Sequence, residues 1–281
     1  MSTATVEPET DTDSGPTAEA AAVRVPRARV ISRETVTMII LPPVLVVIAF
    51  LGFVIWRQTA ELDSVEAQQL RWSEIQQRTV EHILLTLVSA VLVVVVAVPL
   101  GVLLTRGRLR RAAPIVVGIA NAGQAAPSVG LIVLLFIWFS SYPPFGVVVS
   151  GFWIAVLALT LYGLLPVLRN TIVGIQGVDP TLVEAGRGVG MTSASTLVRI
   201  ELPLAIPVIM SGVRTALVLI AGTASLACFI DAGGLGVILQ TGISLFRFSL
   251  MVTGALLIAL LALLIEWAGR LLELATRPKG I

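Results

Sequence analysis

The chain has 281 residues, 56% of them apolar and 13% charged, with a formal net charge of +2. Soluble domains carry roughly 25% charged residues, so this composition belongs to a membrane protein before any motif is read. One cysteine, Cys228, excludes an internal disulfide, and one histidine, His82, leaves too few ligands for a tetrahedral zinc site. The one lysine, Lys279, lies within the last three residues, so the sequence holds no Gly-Lys-Ser/Thr phosphate loop.

In chain order, residues 1–30 are rich in Ala, Thr, Glu, Asp and Pro with no repeating apolar face, which predicts a disordered tail. An apolar run of 19 residues follows at 38–56, close to the ~20 that cross hydrocarbon. Arginines precede it as in a signal peptide, but it sits deep in the chain and no small-x-small cleavage site follows, so an uncleaved span is expected. Residues 57–79 are polar and of mixed charge, as in an aqueous loop. Further spans are predicted over 80–105, 113–140, 147–168, 204–229 and 249–269.

Orientation follows from basic residues in the loops. With the N-terminus inside, fourteen face the cytoplasm: four before the first span, four at 106–111, three at 169–199 and three at 270–279. Only Arg57, Arg71, Arg78 and Arg247 face out. Both termini and the loop at 170–203 are therefore expected to be cytoplasmic.

That loop contains a charged island at 179–203, which reads as two short helices around a glycine turn. Asp179 suits an N-cap and Pro180 the first helical position. Gly186, Gly188 and Gly190 are expected to end the first helix. Thr192 or Ser193 would cap the second, and Pro203 would stop it. Helices under ~12–15 residues are marginal in water, so the pair needs something to dock against.

Within the island, Glu184-Ala185-Gly186 is followed by three residues, Gly190, nine residues and then Ile200-x-Leu202-Pro203. This resembles the EAA signature of permease subunits of ATP-binding-cassette importers at every spacing. The runs at 161–170, 178–180 and 232–236, and Asn121-x-x-Gln124-x-x-Pro127-Ser128, are similar to the osmoprotectant branch (glycine betaine, choline, carnitine, proline). Gly186 departs from the usual second alanine, Ala126 from a larger aliphatic, and Asp231 from a glycine before Ala-Gly-Gly-Leu-Gly.

The resemblance covers roughly residues 72–245. The spans together read as an all-α membrane fold of six transmembrane helices, of which the last five resemble the core of type I importers, while the first, an extra helix at 38–56, lies outside the resemblance. The permease domain would run over 72–275, with a coupling loop at 170–203. Expected partners are a cytoplasmic ATPase dimer, an extracytoplasmic substrate-binding protein, a second permease copy or paralogue, and the lipid of the cell inner membrane; no nucleic acid is expected. ATP would be bound by the partner, leaving this chain a transport subunit with no cofactor, no metal and no catalytic residue. Glu184, Ala185, Gly186, Gly190, Ile200, Leu202 and Pro203 are the implied ATPase-coupling residues, Glu184 being exposed and able to pair with Arg187 or with a base of the partner.

Polar residues inside spans are costly against lipid and mark protein or water faces. Asn121, Gln124 and Ser128, at i, i+3 and i+7 of one predicted helix, form a candidate wall of a translocation pathway or interhelical glue. Ser211, Thr215, Gly222 and Ser225 form a second stripe, interrupted by Val218, with the same two readings. Arg214 and Glu266 lie within spans, where snorkelling or mutual pairing is expected. His82 is expected at the outer interface. With Ser89 it could suggest an intramembrane protease, but no Gly-x-Ser-x-Gly and no second histidine support one.

Substrate identity is the weakest part of the sequence. Quaternary amines are held by aromatic cages through cation–π contacts, yet the 9 Phe, 5 Trp and 2 Tyr form no cluster along the chain, which places recognition in the binding protein. The alternatives are an importer of the same fold for amino acids or sulfonates, and an ion-coupled secondary transporter. The latter would want an acid near mid-membrane, and the spans offer none there.

Overall fold

The computed structural model of the chain describes residues 33–276, so the predicted tail at 1–30 lies outside the described residues. Every regular element among them is helical. Five helices are long and apolar enough to cross a membrane, and a bent pair makes a sixth if it counts as one span. They are α1 (Arg33–Thr59), α3 (Trp72–Leu104), α6 (Gly151–Gln176), the run through α9 (Leu202–Thr223) and α11 (Phe248–Thr276). The pair is α4 (Ala113–Ala125) and α5 (Ser128–Ser141). Shorter helices are α2 (Ser64–Gln69), α7 (Pro180–Gly188), α8 (Ser193–Thr196) and α10 (Gly236–Ser244).

The centre is the packing of α6 on α9, with α3 alongside. Small residues bring the backbones together, the usual means where no hydrophobic driving force separates helix from lipid. A β-carbon at Gly212 would stand 2.8 Å from the Pro166 carbonyl oxygen, and one at Gly174 3.2 Å from that of Ala205. Around this crossing lie Val93, Ala155, Leu159, Leu168, Ala216 and Ile220, all buried. A second core joins Phe53 of α1 to Leu70, Leu235, Ile238, Leu250 and Leu257.

The predicted loop at 57–79 is mostly helical. Asp63 and Glu66 form a capping box on α2, and Asp63 pairs with Arg247 while Glu66 accepts a hydrogen bond from the Ser249 hydroxyl. The additional helix α1 leans on α11, where the Trp267 indole donates to the Ile39 carbonyl at 2.8 Å. Its end is held by the Arg57 guanidinium, which donates to the Leu70 carbonyl and lies 4.8 Å over the Trp72 ring. Much of the rest of α1 is bare, including Val47, Ile48 and Ile55, as suits a helix facing lipid.

The predicted third span is not one helix. The chain turns by 97° between α4 and α5. Pro127 has no N–H to continue the ladder and forces the residue before it out of the helical region, so Ala126 is extended at ψ 143°. The Tyr162 hydroxyl of α6 donates to the Ala126 carbonyl, which the bend has freed.

Candidate functional site

The island at 179–203 lies at the arginine-rich end of the molecule, beside the last turn of α6. Helix α6 runs on to Gln176, so residues 170–176, expected in the loop, belong to the helix. Asp179 caps α7, accepting from the Thr181 backbone N–H at 2.9 Å and its hydroxyl at 2.8 Å. Those two donors hold its carboxyl below the ordinary aspartate range. Pro180 takes the first helical position.

The turn after α7 is a Schellman motif, in which crossing hydrogen bonds satisfy the last carbonyls of a helix. The Met191 N–H donates to the Gly186 carbonyl at 3.1 Å and the Gly190 N–H to that of Arg187 at 2.9 Å. Gly190 has φ +90°, and no atom lies within 4 Å of where its β-carbon would be. Its requirement is one of backbone conformation alone. Gly186 is different: it is inside α7 and buried, and a β-carbon there would stand 2.6 Å from Ile200 Cδ1 and 3.3 Å from Met191 Sδ. Of the three glycines expected to end the helix, Gly190 makes the turn and Gly186 admits the packing of α7 on Ile200.

Since the nearest obstacle at Gly186 is the tip of a flexible side chain, Gly186→Ala should leave membrane level and transport within about twofold of wild type, whereas Gly186→Leu should abolish both α7 packing and transport. Uptake and membrane abundance of the two variants check this. Equal behaviour of alanine and leucine would contradict the contact.

Thr192 caps α8, its hydroxyl oxygen accepting from the Ser195 N–H at 3.3 Å. Pro203 does not stop this second helix. A π turn, Leu197–Glu201, carries the chain from α8 straight into α9, and Pro203 lies in the first turn of α9, where a missing N–H is tolerated. Leu202 and Pro203 are half-buried, while Glu184 and Ala185 are exposed. Leu182, Val189 and Val198 are exposed beside them, as are Asp179, Arg187 and Arg199, giving the island an apolar surface set among charges. No ion pair joins Glu184 to Arg187 among the described residues.

Sequence reasoning missed Glu201, the unspecified position of the signature. It is buried, with 5% of its side chain exposed, and pairs with Arg106 just beyond α3. An acid within a cluster of arginines is the one trace of this in the sequence.

The first polar stripe does not survive the bend. Asn121 and Gln124 lie on α4, whereas Ser128 begins α5. Gln124 Nε2 donates to the Tyr162 carbonyl at 3.4 Å, placing α4 on α6. The second stripe is continuous: Thr215, Val218 and Gly222 are exposed on one face of α9, with Ser211 and Ser225 half-buried on the same line. The Thr215 and Ser225 hydroxyls donate back to the Ser211 and Gly222 carbonyls at 3.0 and 2.7 Å. No hydrogen bond joins the two groups among the described residues.

At the opposite end, His82 is fully buried rather than interfacial, its Nε2 2.9 Å from the Ala221 carbonyl. Beside it the Glu81 carboxylate accepts from the Gly234 N–H at 2.9 Å, clasping the loop at 232–236 to α3. Asp231 has φ 56° and ψ 31°, the left-handed conformation that explains why a glycine is expected there and why aspartate is tolerated. Arg214 pairs not with Glu266 but with Glu273, 3.4 Å away and two turns further along α11.

Comparison with known proteins extends these observations. The profile of the binding-protein-dependent transport system inner membrane component matches residues 97–278. The chain is 39% identical over 217 residues to the choline transport system permease protein OpuBB of Bacillus subtilis, covering 77% of this chain and 95% of that one. It is 40% identical to the carnitine transport permease protein OpuCB of Listeria monocytogenes, covering 73% and 88%, and to the osmoprotectant import permease protein OsmW of Salmonella typhimurium, covering 72% and 92%. Among solved structures, an inward-facing MetNI methionine ABC transporter shares the fold with a TM-score of 0.60 at 24% identity, covering 73% of this chain and 96% of that chain. An amino acid ABC transporter does so at 0.60 and 17%, covering 77% and 100%. With a match over most of its length and relatives near 40% identity, the chain belongs to the family of binding-protein-dependent transport system inner membrane components.

Proposed function

We propose that this chain is the permease subunit of an ATP-driven importer of osmoprotectants of the choline, carnitine and glycine betaine class, working as a homodimer or beside a paralogue. The observation that carries the reading is the island: a capped helix and turn exposing Glu184, Leu182, Val189 and Val198 at the arginine-rich end. Two short helices with exposed apolar groups are what a partner's groove would take up. Relatives named for choline and carnitine transport supply the substrate class. The excess of arginine at this end supports a cytoplasmic position, where the partner is a pair of ATPases; an extracytoplasmic binding protein delivers the solute.

The permease itself makes and breaks no covalent bond. Its contribution is a coupling free energy between the ATPase site and a gate, typically 1–3 kcal/mol for such linkages. ATP binding draws the two docked islands together and opens the pathway outward; hydrolysis resets it. Gly222, Thr215, Ser211 and Ser225, with Asn121, Gln124 and Ser128, are the groups proposed to face that pathway, and α9 has the uncovered face such a role needs.

The test is reconstitution with its partner ATPase and binding protein, measuring ATP hydrolysis and uptake against betaine, choline, carnitine, proline, methionine and a sulfonate. Stimulation of severalfold by quaternary amines is expected. Stimulation by none of them removes the osmoprotectant assignment, and uptake without an ATPase removes the importer.

A further inference from the structure

A charge pair, buried at Glu201 and half-buried at Arg106, joins the island to the membrane core. Glu201 ends the π turn, and the Arg106 guanidinium reaches it from the far side of the chain, 95 residues earlier. A carboxylate taken out of water is costly unless paired, so its position must be compensated by Arg106. A π turn inserts a residue into the helical ladder and re-aims the side chains beside it. Here the two at its end point to different neighbours: Ile200 lies against Gly186 of α7, and Glu201 against Arg106.

Arg106 follows α3 directly. That helix has 33 residues, a rod of ~50 Å. In its other half are Glu81, which holds the Gly234 N–H, and His82, which meets the Ala221 carbonyl. The island is therefore connected through Ile200, Glu201, Arg106 and α3 to the loop at the opposite face. A cavity of about 170 Å³ adjoins the pair and is also lined by Arg110 and Gln176. Glu201 Oε1 and Arg106 Nε make no hydrogen bond to the described residues, so within the protein the two groups depend on each other.

We propose that the Arg106–Glu201 pair is the latch that delivers movement of the island to α3, with both residues positioning rather than binding solute. The proposal rests on the reading of the island as the ATPase dock. Helix α3 then moves with the island as one body and carries the loop at 232–236 with it.

The test uses the full complex with ATPase and binding protein, comparing Glu201→Gln, Arg106→Gln and the exchanged pair Arg106→Glu/Glu201→Arg. The readouts are membrane level, basal ATP hydrolysis, and solute moved per ATP. The single variants are expected to keep basal hydrolysis while solute per ATP falls about tenfold, within the 5–150-fold range of ordinary coupling energies. The exchanged pair should recover most of that ratio. Unchanged ratios in the single variants overturn the latch, as does a parallel loss of uptake and hydrolysis with the ratio intact. Should the single variants fail to reach the membrane, the exchanged pair decides. Recovery of level and ratio supports the latch, while a recovered level with a low ratio, or no recovery, overturns it. If wild-type complex itself shows no solute-dependent hydrolysis, the importer reading fails and not the latch.

Discussion

Gly190→Asp should leave the protein in the membrane at near wild-type level while abolishing uptake. The turn needs φ +90° at this position, yet a β-carbon would meet nothing within 4 Å. The penalty is therefore conformational, about 1–2 kcal/mol for an L residue held in the left-handed region. That is little against the packing of six spans, and the island is exposed, so the membrane domain persists. What changes is the direction in which the chain leaves α7 toward α8, and the aspartate adds a negative charge at the C-terminal, negative end of α7. A series separates the two effects. Gly190→Asn, which tolerates the left-handed backbone best and carries no charge, should retain part of the uptake. Gly190→Val, which tolerates it least, should lose it without any charge. Uptake measured against membrane level in all three is the check, and wild-type uptake by Gly190→Asp would sink the docking role of this turn.

The parts of this site that the sequence made legible are local. Asp179 and Thr192 cap their helices, and Pro180 opens α7, because such signals act on backbone within three positions of themselves. Gly190 likewise serves a turn built from its own neighbours. Pro203 illustrates the limit, since the same residue ends one helix or opens the next and local sequence does not choose. Here the π turn at Leu197–Glu201 decides in favour of continuity, and one inserted residue in so short a run leaves no readable mark on periodicity. Pro127 is similar: it reads as a loosened helix, but the 97° turn depends on Tyr162 receiving the freed Ala126 carbonyl.

The remaining surprises are all tertiary. His82 is buried by contact with a backbone carbonyl, a partner every residue offers and no pattern reveals. Arg214 pairs with Glu273 and not Glu266 because of how α9 and α11 pack, which no local pattern encodes. Glu201 finds Arg106 across 95 residues. Capping and turn signals are written in consecutive residues, whereas the contacts that would carry force from the island to the core are written in none. This is why a motif could be located in the sequence while its connection to the gate could not.

Gly236→Ala should cost the fold itself, in contrast to Gly190. A β-carbon at Gly236 would stand 1.8 Å from the Ser225 carbonyl oxygen and 2.7 Å from its carbon. Both are backbone atoms of the 3-10 turn Ala224–Ile230 that closes α9, so no side chain can swing aside. Overpacking a core costs typically 1–3 kcal/mol when side chains can adjust; here a helix start or the turn must move, and the upper end or beyond is expected. The displaced element is α10, whose Ile238 is fully buried in the second core and whose preceding loop is clasped by Glu81. Gly222→Ala is the matched control, since that position is exposed with nothing within 4 Å and lies in α9 about one turn before Ser225. Membrane abundance and the thermal midpoint in detergent should fall for Gly236→Ala and hold for Gly222→Ala. Equal midpoints would mean that α10 does not approach α9 so closely. Together with Gly190→Asp, the series separates a glycine that the membrane domain needs in order to fold from one that it needs only in order to be driven.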